Sequence, residues 1–205
     1  MIHISTLNGK LAEFRAISVN TLTNDFCKMM HNVGPKNEII CTFCYSWALL
    51  QGFRKNIAEA LQRNTEILSK KILDKKDLPF INDAYFRFNA HGELINSTHL
   101  KNLVNIARLN SGTTFALWSK RKGIVKDFFS KNKMPKNLIL VYSNPKINNV
   151  GIKVPPFFHK VFNNVEKNHM VEKQNCTGQR CKDCLMCYNK NNGKDIIIEG
   201  VKNYG

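Results

Sequence analysis

The stretch Thr113-Thr114-Phe115-Ala116-Leu117-Trp118-Ser119, followed by Lys122 to Lys131 and then by Asn137-Leu138-Ile139-Leu140-Val141-Tyr142-Ser143, decides the fold. Its first and last segments are short, apolar and bounded by polar residues, the composition of buried strands. Between them Ile124, Val125, Phe128 and Phe129 recur at helical steps. Strand, helix, strand at this spacing is the unit of a parallel sheet, whose crossover helix covers one face.

The same alternation extends upstream. Ala84-Tyr85-Phe86-Arg87-Phe88-Asn89 is an aromatic-rich strand, and Ser97 is expected to cap a helix running to about Asn110. From Tyr45 to Lys71 the apolar residues Trp47, Leu50, Phe53, Ile57, Leu61, Ile67 and Leu68 recur at helical spacing. Ile39-Ile40 reads as a short strand leading into Cys41, and Ile2 to Thr23 alternates loosely, as a hairpin or edge strands would. After Gly34-Pro35 and again at Pro155-Pro156 the chain breaks; Phe157 to Val165 reads as a short helix, Lys167 to Gln174 as a polar connection, and Asp195 to Val201 as a last strand. The expected fold is α/β with parallel strands, a partial (β/α) barrel or an open layer. Residues 1–205 form one domain, with 166–205 a cysteine-rich extension packed on it. In such folds function collects at the carboxyl ends of the strands. Cys41, Asn89 to Glu93, Ser119-Lys120-Arg121 and Ser143-Asn144-Pro145 are therefore expected on one rim.

The seven cysteines divide three and four. Cys176, Cys181, Cys184 and Cys187 fall within twelve residues as C-x4-C-x2-C-x2-C, close enough to wrap one soft centre. Four thiolates suit either tetrahedral zinc or an iron–sulfur cluster, and tandem short spacings are those of ferredoxin loops. A disulfide or free-thiol reading is weak for clustered cysteines without an export signal. Cys27, Cys41 and Cys44 would leave one iron of a [4Fe–4S] cluster open to substrate. Two other readings stand beside this one: a single site drawing on both groups, and Cys27 as a buried thiol that packs as a small hydrophobe.

Hydrophobic residues at 43% and charged residues at 22% are those of a folded globular protein. Met1 to Lys10 has no signal pattern and no apolar run approaches the ~20 residues of a membrane span, so a cytoplasmic protein without membrane contact is expected. Thirty-one Lys and Arg against fifteen Asp and Glu give +16, which favours polyanions such as nucleic acid. The basic residues are spread rather than blocked, as on a solvated surface.

The order around Cys41-Thr42-Phe43-Cys44-Tyr45 and Phe86-Arg87-Phe88-Asn89-Ala90-His91-Gly92-Glu93 resembles the first half of a radical SAM domain. The full layout, from about Lys10 to Tyr188, is similar to the phage family called gene product eighty-eight. The resemblance implies a radical-SAM-like barrel and a redox or modifying enzyme with one or two [4Fe–4S] clusters, S-adenosylmethionine and an electron donor. It implies the host-cell cytoplasm as the location. Cys41 and Cys44 match the last two cysteines of C-x3-C-x2-C; the first would stand at Asn37, and Cys27 is the nearest substitute. His91-Gly92-Glu93-Leu94 occupies the place of the loop that grips the S-adenosylmethionine amine. With Asn89 at the strand end, His91, Gly92 and Glu93 make the expected cofactor-binding set, and the four later cysteines resemble an auxiliary-cluster loop.

Single residues carry paired readings. Glu93 can fix an amine or favour a helix N-terminus; His91 can be a ligand, a proton donor or a turn residue. His31, four residues after Cys27, has ligand-like spacing. Arg87 and Asn89 alternate with Phe86 and Phe88, so one pair points inward, as substrate contacts or as satisfied core groups. Ser119-Lys120-Arg121 reads as an anion site or a solvated basic loop.

Overall fold

The computed structural model describes residues 1–33, 38–52, 55–166 and 171–201. Asn37, Gly34-Pro35 and Phe53, and Lys167 to Met170 of the polar connection, lie outside the described residues. In chain order the elements are β1 (Ser5–Thr6), β2 (Arg15–Ile17), α1 (Asp25–Asn32), α2 (Tyr45–Gln51), α3 (Lys55–Lys70) and β3 (Tyr85–Phe88). There follow α4 (Ser97–Leu109), β4 (Thr114–Ser119), α5 (Lys122–Phe129), β5 (Leu138–Ser143), β6 (Lys160–Val165), the single turn α6 (Cys181–Cys184) and β7 (Ile196–Gly200).

The strands form one sheet in the order β1-β2-β3-β4-β5-β6-β7; β1 is antiparallel to β2 and every later pair is parallel. Strands added always in one direction, with crossovers of one hand, put their helices on one face. Alternation along the strands supplies that face with Phe86, Phe88, Phe115, Leu117, Leu138 and Leu140. They pack with Leu68 of α3, Leu100, Leu103 and Ile106 of α4, and Val125 and Phe129 of α5. Phe86, Phe88 and Phe115 are fully buried, and each such side chain contributes about 1.5–3 kcal/mol. The opposite face carries Ala16, Ala116, Trp118, Ile139 and Val141, and among the described residues none from α3, α4 or α5 packs on it. Tyr188, Leu185, Cys181 and Cys187 of the C-terminal segment pack there instead, with Leu7, Leu11 and Phe14. The stretch from Cys181 to Tyr188 thus covers part of this face.

Of the expected partial barrel or open layer, the sheet is an unclosed one, with β1 and β7 as its two edges. Its edges nevertheless approach. Strands stand ~4.8 Å apart, so a flat seven-stranded sheet would separate its outer strands by roughly 29 Å. Yet Lys10, on the β1–β2 connection, contacts Glu199 of β7. The sheet curls toward its helix-free face, without backbone closure.

Local corrections have local causes. Ile39-Ile40 is no strand: Ile39 makes one bridge to Lys146, and Thr42 donates to the Ile39 carbonyl from both its N–H (3.0 Å) and its hydroxyl (2.7 Å), winding a 3-10 turn over Ile40–Phe43. The helix expected from Tyr45 to Lys71 is two, α2 ending at Gly52. Asn96, not Ser97, caps α4, accepting from the His99 N–H at 2.9 Å. Phe157 to Val165 contains β6, because Val161 and Phe162 register between β5 and β7. That placement buries Lys160, whose ammonium donates to Asn192 Oδ1 and the Lys194 carbonyl, each at 2.9 Å. Asparagines close several loops from within: Asn102 accepts from Leu73 N–H and donates to the Leu68 and Lys71 carbonyls. Among the described residues no helix is long and apolar enough to cross a membrane.

His99 is fully buried on α4; its Nδ1 accepts from the Ile95 N–H, and Nε2 has no partner among the described residues. Burial holds the ring neutral, lowering its pKa to about 3. The unfolded chain takes up this proton near pH 6.5 and the folded chain refuses it. Stability is therefore full above that pH and is lost as pH falls toward 3, by on the order of 2 kcal/mol at pH 5. His159 acts in the same direction, lowered to about 4 by burial and then by Lys190 and Lys160. Urea unfolding at pH 7.5 and 5.0 should show this loss, and His99→Asn should shrink it; an equal loss in both proteins would sink the assignment.

Candidate metal and substrate cavity

A cavity of about 440 Å³ opens on the helix-free face at the carboxyl ends of the strands, and all seven cysteines line it. All are free thiols. The expected shared rim is present: Asn89 and Glu93 after β3, Lys120 after β4 and Ser143 at the end of β5 line the same space as Cys41.

Each thiol of the first group is placed by a short local device. Asn24 caps α1, accepting from Cys27 N–H at 3.2 Å, and its amide donates to the Glu93 carbonyl at 2.8 Å. The start of α1 is thereby tied to the loop after β3. Cys41 lies within the 3-10 turn, and Cys44 ends it and stands at the N-cap of α2. His31 is not among the lining residues: its ring stacks on Trp47 at 4.2 Å, and Nδ1 lies 3.0 Å from the Cys41 carbonyl. Lys120 lines the cavity with these three cysteines, its ammonium 3.1 Å from Ser143 Oγ. Burial works against the charged ammonium, but Cys41, Glu93, Cys44 and Cys27 outweigh it and raise the Lys120 pKa. Burial raises the Cys27 and Cys41 thiols.

The loop after β3 is braced rather than free. Glu93 Oε1 accepts from Leu94 N–H at 2.7 Å and Oε2 from Lys120 N–H at 2.8 Å, which joins two strand ends. The helix N-terminus reading of Glu93 does not apply, because α4 begins four residues later. His91 is not among the lining residues, but its Nδ1 lies 2.7 Å from Oγ of Ser46, which does line the cavity and in turn lies 2.5 Å from Thr21 Oγ1. Arg121 donates to the Leu94 carbonyl and lies over Phe26, while its neighbour Lys120 enters the site. Of the expected cofactor-binding set, Asn89, Gly92 and Glu93 line the cavity and His91 does not.

The second group is carried by the segment over the sheet. Cys176 bridges to Glu199 of β7, Cys181 and Cys184 end the turn α6, and Cys187 follows Leu185, whose φ of 48° swings the chain back. Lys10 Nζ lies 3.7 Å from Cys176 Sγ, and Arg87 acts on Cys181 and Cys187. Burial pushes Cys187 up to about 12 and raises Cys176 and Cys181. Lys10 has no local sequence signal, being 166 residues from Cys176. Trp118 was legible: alternation with Phe115 and Leu117 puts it on the face of Arg87, and the guanidinium lies 3.8 Å from its ring centroid. Among the described residues no three His, Cys, Asp or Glu side chains converge as a single-ion site.

The family model described as Gene product 88 matches residues 5–156. The chain belongs to the Gene product 88 family. The match takes in β1 to β5, with Cys27, Cys41, Cys44, Glu93 and Lys120, and ends before Cys176. No curated protein and no solved structure matches the chain.

Gly92 has φ of 72°, and a Cβ there would meet Val19 Cγ2 and the Val19 carbonyl oxygen at 2.5 Å. Gly92→Ala should cost about 2–4 kcal/mol in urea unfolding, combining the left-handed backbone with the overlap. Gly112→Ala, where a Cβ meets nothing within 4 Å, is the control; equal costs would contradict the placement of this loop.

Proposed function

We propose that the cavity is an iron–sulfur reaction centre. In this reading Cys176, Cys181, Cys184 and Cys187 hold one [4Fe–4S] cluster, and Cys27, Cys41 and Cys44 hold a second with one iron left open for S-adenosylmethionine or substrate. The observation that carries it is the division of seven thiols, three and four, around one cavity at the strand ends. The donor set suits the group: all soft sulfur, with Lys120 beside the first three and Lys10 and Arg87 beside the other four to offset thiolate charge. Thiolates of a four-iron cluster sit on separate irons and surround a space, whereas zinc draws its four ligands onto one point.

When bound, such clusters supply an electron and, where three thiolates hold one, an open coordination position. The chain's own part is to bind, orient and exclude water. Glu93 locks the β3 and β4 ends together, Lys120 sets a positive charge beside Cys27, Cys41 and Cys44, and Phe26, Met30 and Trp118 give the wall apolar surface. Redox chemistry on a small molecule, radical-SAM-like if S-adenosylmethionine binds, with electrons from an external donor, is the class this serves. A second reading, a zinc-stapled polynucleotide-binding protein, rests on the +16 charge.

Anaerobic purification with iron and acid-labile sulfide analysis separates the two. Two clusters require about eight irons and as many sulfides per chain, and Cys44→Ala or Cys184→Ala should each lose about half. Zinc without sulfide, with polynucleotide affinity that falls steeply with salt, would replace the first reading by the second.

A further inference from the structure

Acidic residues avoid one part of the chain. Residues 94–165, from the loop after β3 through β6, hold twelve Lys and Arg against Asp127 alone. Among the described residues the one ion pair this stretch makes is that of Lys160 with Asp195. Several of the unpaired cations meet at the amino-terminal rim of the sheet, the end away from the cysteine cavity. Lys131, Lys133 and Lys136 are exposed on the connection from α5 to β5. Arg108, exposed in the last turn of α4, donates to the Lys133 carbonyl at 2.6 Å. Lys190, two residues beyond Tyr188 on the opposite face, donates to the Lys136 carbonyl at 2.8 Å, and burial lowers its pKa. The connection is thus pinned from both sides, and its own three ammonium groups have no partner among the described residues. A hollow of about 240 Å³ lies between Lys136 and Lys190, lined also by Tyr85, Thr114 and Asn137 where β3, β4 and β5 begin. The nearby carboxylate of Asp83 is taken up by the Arg15 guanidinium through both its oxygens.

We propose that this rim, from Arg108 through Lys131, Lys133 and Lys136 to Lys190, is a docking surface for the phosphate backbone of a single-stranded nucleic acid. The cations come from the helix face, a loop and the opposite face, so they surround an edge and do not converge on one small anion. A run of phosphates meets each in turn and releases its counterions as it does. A single strand follows such an edge at little cost, whereas a duplex is stiff over roughly 150 base pairs. The hollow between Lys136 and Lys190 gives an unpaired base a place between two phosphates, with Tyr85 in its lining. The surface lies at the opposite end of the strands from the cysteines. A strand bound there leaves the cavity open, and the proposal does not depend on which metal the thiols hold.

Fluorescence anisotropy of the anaerobically purified protein with a labelled oligothymidylate, at salt from about 50 to about 200 mM, tests this. Affinity should fall linearly with salt on logarithmic axes. The triple variant Lys131→Gln, Lys133→Gln, Lys136→Gln should reduce that slope by about two, three contacts at roughly 0.7 each, and weaken binding by about tenfold or more. A second triple variant, Lys55→Gln, Arg63→Gln, Lys146→Gln, removes the same charge from exposed positions on α3 and past the carboxyl end of β5. It should keep the parent's slope, and both variants should unfold near the parent's midpoint. Absence of binding at the lowest salt, or equal losses in the two variants, would overturn the rim, the second because net charge alone would then explain the affinity. A duplex of the same length bound as tightly as the single strand would overturn the assignment, as would polyglutamate that displaces the label as well as unlabelled oligothymidylate does. Iron and sulfide measured on the same samples keep the two readings apart: clusters without binding sink the rim alone, and binding without clusters sinks the iron–sulfur reading alone.

Discussion

The seat of Tyr188 on the helix-free face is the contact on which the cavity depends. Its ring lies 4.9 Å from Phe14, 5.6 Å from Tyr85 and 6.1 Å from Trp118, centroid to centroid, and joins the β1–β2 connection and the third and fourth strands to the C-terminal segment. A sheet wound in one direction has helices for only one of its faces, and the other must find cover or remain wet. Here the cover is a short, irregular segment carrying four cysteines. Its buried contacts include Met186 and Tyr188. Ion pairs add to it: Arg180 and Lys182 both reach Glu13 on the β1–β2 connection. These pairs are exposed and individually worth little. A metal centre bound by the four thiolates would tie the segment down far more firmly, so that cofactor loading and completion of the fold become one event.

Charge placement follows the same division. Buried thiols resist ionisation, and a site that is to hold several thiolates needs cations within reach. Lys120 serves the group from α1 and the 3-10 turn, while Lys10 and Arg87 serve the group from the covering segment. They come from a strand end, a connection and a strand interior. Only the folded sheet brings them to the sulfurs.

Much of this was legible beforehand, for reasons that can be stated. β3, β4 and β5 were read to within a residue or two because β4 and β5 are buried on both faces, β3 alternates buried phenylalanines with half-buried residues, and each run is bounded by turns. The rim followed from parallel winding, and the presence of Asn89, Glu93 and Lys120 on it followed from their positions just past strands. What failed was decided by tertiary pairing. Ile39-Ile40 has strand composition but is captured by a turn at Thr42, and Phe157 to Val165 looks helical until β5 and β7 offer it backbone partners. Lys160 gave no sign that it would be fully buried, since its partners Asn192 and Lys194 lie more than thirty residues away. His91 was expected in the site; it is absent from the cavity lining, and its ring meets Ser46 on α2, a partner with no local sequence signal. The role of Lys10 is of the same kind.

The most direct test is a crystal structure of the anaerobically purified protein with anomalous maps on either side of the iron edge. Two compact iron features should appear in the one cavity, one bounded by Cys27, Cys41 and Cys44 and the other by Cys176, Cys181, Cys184 and Cys187. A single zinc ion at either group, or iron bound away from these seven thiols, would contradict the account.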